Sequence, residues 1–400
     1  MDYHSFLRSS TVFGACSLLG ALVLSAGGCS STQTAASNDS QASQPASEAT
    51  SEDTTEAPMV TARPKWAIDH DAFKDFGYRW DWSGFPPLQH NAEIIHTTAY
   101  HDVIIMQGSG ATLSVLDANT GKVRWSKQVD RPTTAFFESV RFGETLYVAS
   151  ETDLYELNLK NGNTLDRDSL TSIVSTRPVI VDNIAIFGTT AGELFGFQMD
   201  QDFKLWSYQF DGPIHTPPTV LDDEFVAAIS DGGDLRTIRV KSAESGVTMR
   251  IAGGTTTNIL NDGFSIYVGS TDQSIYSFDV EDGKRYWRER SSAPITIQPV
   301  LHGESLYVTT DDLGLAALDV LTGKPLWNNK AVRGWVVGLL DEDELIVWTG
   351  RELVSVDAER GDILARIKMD NVSGVRTDMF EDGNLYIIAN DGRIAKFSPR

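Results

Sequence analysis

Short apolar runs alternate with polar turns along most of this chain, and the spacing of that alternation is nearly constant. The clearest unit is LAALDVLTGKPLW at residues 315–327. Its apolar positions read as a strand, its Thr322-Gly323-Lys324 as a tight turn, and Leu326-Trp327 as the start of the next strand. The same phrase recurs as DANTGKVRW (117–125), DVEDGKRYW (279–287) and DAERGDILA (357–365), with worn copies at 154–166, 194–206 and 235–250. The residue closing the first strand of each phrase is Asp117, Asn158, Gln198, Arg239, Asp279, Asp319, Asp357 and Ser398, in steps of 38 to 41 residues. A fixed period in this range marks a propeller or solenoid, because one unit cannot bury its apolar faces alone.

Within one unit, residues 297–301, 305–309, 315–319 and 325–328 read as four strands from innermost to outermost. Four antiparallel strands per period of about 40 residues predict a propeller blade. The eighth unit has an inner strand near Met379 and further strands at 385–389 and 393–397, but the sequence stops at Arg400 before a fourth. A spare outer strand, GYRWDW, lies at 77–82. The expected fold is therefore all-β: an eight-bladed propeller of four-stranded antiparallel blades. An N-terminal strand at about 77–83 should join the last blade beside 393–397, so that no edge is orphaned.

The recurring residues have physical roles in this reading. Asp117, Asp279 and Asp319 should cap their turns by accepting backbone N–H bonds, and Gly121, Gly283 and Gly323 should take the left-handed conformation. Trp125, Trp206, Trp287 and Trp327 should lie flat over the neighbouring unit and bury a large apolar area. Asp166, Arg250 and Ala365 stand in their place in three units, whose junctions should be weaker.

Composition narrows the function classes. The net charge is −22 over 400 residues, of which the segment 30–60 carries −5 and 61–400 carries −17. So acidic a body disfavours nucleic acid and anionic lipid faces as partners. Both cysteines, Cys16 and Cys29, lie in the first thirty residues, which rules out a disulfide or thiolate metal site in the repeats. Residues 1–28 read as a secretory signal: an arginine (Arg8), an apolar run over 11–26, then Gly27-Gly28 before Cys29. These small residues resemble the lipobox of bacterial lipoproteins, which implies lipidation of Cys29. In the familiar sorting pattern, Ser30 implies an outer-membrane anchor, with the protein expected to face the periplasm. Residues 29–60 are rich in Ser, Thr, Ala and acids and read as a disordered tether, leaving 61–400 as the propeller domain.

The phrase A-x-D-x-x-T-G-K-x-x-W, complete at Ala317, Asp319, Thr322, Gly323, Lys324 and Trp327, resembles the tryptophan-docking motif of quinoprotein (PQQ-type) eight-bladed propellers. The unit with Asp279, Gly283, Lys284 and Trp287 departs from it at Ser277 and Asp282. The resemblance covers about residues 77–400 and implies the fold more specifically than the activity. One implied activity is a dehydrogenase holding PQQ with Ca²⁺ at the channel mouth, in many members with the quinone stacked on a ring made by two adjacent cysteines. The repeats contain no cysteine, and units this short leave little room for inserted active-site loops, so catalysis and a cofactor are not expected. No nucleophile elbow is present. His90, His96 and His101 lack a zinc-like spacing, and Asp69-His70-Asp71 reads as a polar lead-in, so no metal site is expected either.

A lipidated, free-standing propeller of this length also resembles the lipoprotein scaffolds of the machinery that assembles outer-membrane β-barrels. That resemblance implies a monomeric protein–protein interaction module, the expected function. A ligand- or carbohydrate-sensing envelope propeller is the third reading. Under the scaffold reading, partners should touch the turns that lead from each fourth strand to the next first strand, which share one face of the disc. Those turns hold Arg131, Phe136, Phe137, Arg177, His215, Arg333, Gly334, Trp335 and Arg376, rich in the aromatic and Arg types that dominate interface hot spots.

Overall fold

The structure, a computed structural model, describes residues 68–87 and 93–400. The expected signal peptide (1–28), the lipidation site Cys29, the tether (29–60), Cys16 and His90 lie outside the described residues.

The strands form where the apolar alternation placed them, and they assemble into eight sheets of four antiparallel strands. Seven blades are continuous in sequence: 94–128, 140–169, 179–209, 219–250, 260–290, 300–329 and 335–368. The eighth takes three strands from the C-terminal end, Val372–Thr377, Leu385–Ala389 and Ile394–Pro399. Its outermost strand is Tyr78–Gly84 from the other end of the sequence. Trp80 pairs with Phe397 and Ser83 with Ala395, with a bulge between Trp80 and Trp82. Arg400 N–H donates to the Gly77 carbonyl at 3.0 Å, and the nearly buried Lys396 ammonium lies 3.9 Å from Asp81. The ring thus closes through a strand borrowed from the N-terminal side, as the repeat count requires.

The middle strands of a blade are buried on both faces. They therefore read as continuous apolar runs rather than as an in–out alternation. In Val103–Gly108 every residue is buried. Successive side chains still point to opposite faces: Val103 and Ile105 pack with Leu146, Val148 and Tyr155 of blade 2, while Ile104 and Met106 pack with Trp82, Tyr386 and Ile388 of blade 8. The same division repeats around the ring, and each of the eight apolar clusters lies at one junction between neighbouring blades. The core is a set of junctions, so blade-to-blade packing is what stability depends on.

Two inner strands differ from the expected positions. The inner strand of blade 6 is Val300–His302 rather than 297–301, because Pro299 has no N–H to donate to the ladder. In blade 8 the inner strand is Val372–Thr377, not a segment near Met379. Asn384 N–H donates to the Asp378 carboxylate at 2.8 Å and Thr377 Oγ1 to the Met379 carbonyl, so Met379 belongs to the hairpin turn. A short helix, His70–Asp75, precedes the closing strand; Asp69 caps it by accepting from the backbone N–H groups of Asp71 and Ala72 at 3.1 Å.

Candidate functional site

Five tryptophans join neighbouring blades in one geometry. The indole N–H of Trp82, Trp125, Trp206, Trp287 and Trp327 donates to the carbonyl of Ala118, Leu159, Val240, Val320 and Ala358 respectively, each in the next blade. In four of the five the indole lies against the turn glycine there; Trp206 faces a turn with Ala243 in that position. A Cβ added to Gly121, Gly162, Gly323 or Gly361 would sit 2.3 to 2.6 Å from the ring of Trp82, Trp125, Trp287 or Trp327. Each of these glycines also has φ between 68° and 76°, in the left-handed region that a side chain strains. The caps complete the turn: Asp117 Oδ1 accepts from Asn119 N and Thr120 N at 3.1 and 3.0 Å, and Asp279 and Asp319 hold their turns likewise. Hydrogen bonds from Arg124 to Asp117, from Tyr286 to Asp279 and from Thr322 to Asp319 hold these carboxyls below the ordinary value.

Trp82 escaped the sequence pattern because its own turn is not contiguous with it. The third strand of its blade is Ile394–Pro399, at the far end of the chain. A Trp standing eight residues after no aspartate carries no motif, yet Trp82 closes the ring.

The remaining three junctions are each built differently. After blade 4 the residue in the latch position is Val247, not Arg250: a Cβ on Gly283 would meet Val247 Cγ1 at 2.4 Å. The turn residue of blade 4 is Ala243 (φ 57°), whose N–H donates to the Arg239 carbonyl as Gly121 does to Asp117. Gly246, which looks like the turn glycine in the sequence, lies inside the outer strand Ser245–Arg250, and Arg250 points to Asp211 instead. After blade 7, Ala365 leaves space that Phe73 and Phe76 of the helix segment fill, with Phe73 stacked on Phe397 at 3.9 Å between centroids. This junction is plugged rather than left thin.

After blade 2, carboxylates occupy the latch. Asp166 stands in the Trp position, and Glu156 is directly opposite it on the adjacent strand. Asp202 stands in the turn-glycine position of blade 3 with φ 54°. Asp168 completes the group, with one carboxylate oxygen of Asp166, Asp168 and Asp202 each within 4.8 Å of the others. Burial, followed by the charges of its neighbours, pushes Asp168 up to about 6 and Glu156 up to about 7.

The expected partner-binding residues spread around one face and do not form a single patch. Arg131 and Arg333 are exposed in the turns before blades 2 and 7, and Arg333 donates to the Asp311 carbonyl at 2.6 Å. Phe136 and Phe137 are half-buried; Phe136 meets Tyr155 edge-on at 5.3 Å, and both pack into blade junctions. Arg177 lies 3.8 Å from Glu138, which also accepts from Thr98 Oγ1 at 3.1 Å. His215 faces Asp231 at 2.8 Å. Arg376 belongs to the inner strand of blade 8 rather than to a connecting turn, because that strand ends at Thr377. The shift brings it to Trp335: both line a cleft of about 540 Å³ between blades 7 and 8, with Val337, Trp348 and Gly374. Trp335 is 45 % exposed there. A second cleft, of about 500 Å³ between blades 4 and 5, contains His215 and Asp231. Within the inner strand Ile94–Ala99, burial lowers the His96 pKa against the pull of Glu138; His101 lies outside that strand with an exposed side chain.

Among the described residues, the one group of three metal-type ligands is Asp166, Asp168 and Asp202. It lies on an outermost strand and an outer turn, away from the inner strands that surround the channel.

Comparison with known proteins agrees with this architecture. A family model described as outer membrane protein assembly factor BamB matches residues 85–173 and 245–334. No curated protein matches the chain. The crystal structure of the computationally designed Ika8 protein superposes with a TM-score of 0.65 at 12% identity, covering 78% of this chain and 98% of that one. BamB from Moraxella catarrhalis superposes with a TM-score of 0.60 at 16% identity, covering 78% of this chain and 99% of that one. At such identities the two structures speak to fold alone. By repeat and blade geometry the chain is an eight-bladed β-propeller, and over residues 85–173 and 245–334 it is similar to the BamB family model.

Proposed function

We propose that this protein is a non-catalytic envelope lipoprotein, exported and anchored to the outer membrane through Cys29, whose propeller serves as a docking scaffold in outer-membrane β-barrel assembly. The observation that carries this reading is the family-model match over residues 85–173 and 245–334, described as an assembly factor. Two features support it. The blades are compact, with short connections that offer no inserted active-site loops, and the face bearing the inter-blade turns presents exposed Trp335 beside Arg376 in an open cleft. An exposed aromatic next to an Arg is the side-chain chemistry that interface hot spots favour.

Affinity isolation of the full-length, lipidated protein from detergent-solubilised envelope tests this reading. Co-isolation of a barrel-assembly component is the expected result. A different stable partner, with no assembly component present, would overturn the assignment. Dye-linked alcohol oxidation above background after reconstitution with PQQ and Ca²⁺ would overturn the non-catalytic part.

A further inference from the structure

The blade 2–blade 3 junction departs from the repeat in a coordinated way. At four junctions a Trp has a small or apolar residue directly opposite it, Val115, Gly196, Ser277 or Ala317; this one has Asp166 with Glu156 opposite and Asp202 in the facing turn. A fourth substitution matters most. Two residues beyond the latch, blades 1 and 6 carry a donor that reaches the facing turn: Lys127 Nζ donates to the Gly162 carbonyl at 3.2 Å, and Asn329 Nδ2 to the Gly361 carbonyl at 2.7 Å. Blade 2 has Asp168 in that place. Acceptors there face acceptors, and directly opposed like charges on paired strands are destabilising.

Asp168 is only 7 % exposed, and its Oδ2 is buried with no hydrogen-bond partner. A buried, unpaired carboxylate oxygen is costly unless a proton or a cation meets it. We propose that Asp166, Asp168 and Asp202 bind a hard divalent cation, Ca²⁺ foremost, which ties blade 2 to blade 3 where five other junctions use tryptophan. The donor set is all oxygen, which suits Ca²⁺, Mg²⁺ or Mn²⁺ and not thiophilic metals. Ligand oxygens within 4.8 Å of one another fall inside the span of a Ca²⁺ ion with Ca–O distances of about 2.4 Å. Asp166 and Asp202 are exposed, leaving room for water to complete the coordination, and Glu156 stands opposite Asp166 on the paired strand. The cation would supply the positive charge that Lys127 supplies at the preceding junction.

The test is calorimetric titration of the chelator-treated full chain with CaCl₂ alone, then MgCl₂ and MnCl₂, at pH 7.5, together with melting temperatures. One ion should bind per chain, with a melting rise of about 2 °C or more in millimolar Ca²⁺. D168N and D202N should each weaken binding by about tenfold or more. Because Asp166 and Asp202 are exposed, D166N and D202N keep the test open should D168N not fold. The double variant D166W/D202G, which restores the latch, should fold and lose the Ca²⁺ response. Absence of binding by all three ions up to millimolar concentration overturns the proposal, and the junction then holds a shared proton instead. Binding undiminished in D166N, D168N and D202N also overturns it.

Discussion

Replacing Trp82 by Ala removes the latch that carries the closing strand onto blade 1. Trp82 is 8 % exposed, packs with Ile104, Met106 and Leu116, and donates to the Ala118 carbonyl at 3.1 Å. Truncating a buried Trp to Ala costs about 3–5 kcal/mol, and a buried carbonyl left without its donor adds about 1–3 kcal/mol. A loss of at least about 4 kcal/mol is therefore expected. The control lies two residues away in the same strand: Trp80 is 45 % exposed, and Trp80→Ala should cost about 1 kcal/mol or less. Trp82→Phe keeps most of the apolar area and loses only the N–H, so it should recover more than half of the deficit. Urea unfolding followed by far-ultraviolet circular dichroism and tryptophan fluorescence measures all three. If Trp82→Ala and Trp80→Ala shift the midpoint equally, the latch account of ring closure is wrong.

The turn glycines differ in what surrounds them. Gly323→Ala should destabilise by about 2 kcal/mol or more, since it combines a left-handed φ of 70° with a Cβ 2.4 Å from the Trp287 ring; Gly303→Ala, with φ 55° and open space around its Cβ, should cost about 1 kcal/mol by the same urea assay. The cap carboxyls of Asp117, Asp279 and Asp319 titrate below the ordinary value when folded. Their stabilising contribution is therefore fully present above about pH 4 and lost as the pH falls through the lower folded values. Unfolding midpoints at pH 7, 5 and 3 should show a loss confined to the last step, and an Asp319→Ala variant should lose less between pH 5 and 3 than the parent. On the proposed docking face, the double variant Trp335→Ala/Arg376→Glu should leave the melting temperature within about 2 °C and lower recovery of an assembly partner about tenfold, read by quantitative immunoblot.

Architecture was legible because the phrase around Leu315–Trp327 repeats, and because the missing fourth strand at Arg400 matched a surplus strand near Trp80. Those are facts of counting that sequence carries directly. What failed did so where a local cue was ambiguous. The worn copy at 235–250 ends on Arg250, which put the latch there rather than at Val247; only the pairing of the outer strand distinguishes them. Pro299 shortened one inner strand, and the hairpin turn at Asp378–Asn384 displaced another, which carried Arg376 out of a loop and into a strand. Trp82 was invisible as a latch because the third strand of its own blade, which would carry the motif before it, lies some three hundred residues away. The carboxylate junction was equally hidden: Glu156, Asp166, Asp168 and Asp202 look like solvated acids until the fold sets blade 2 against blade 3.

Site-specific photocrosslinking from position 335 in intact envelopes measures the central claim most directly. A photoreactive residue replacing Trp335 sits in the cleft beside Arg376, and mass spectrometry identifies whatever it captures. The scaffold account predicts a barrel-assembly component as the dominant adduct, lost when Arg376 becomes Glu. A dominant adduct to a protein unconnected with barrel assembly, insensitive to Arg376, would contradict it.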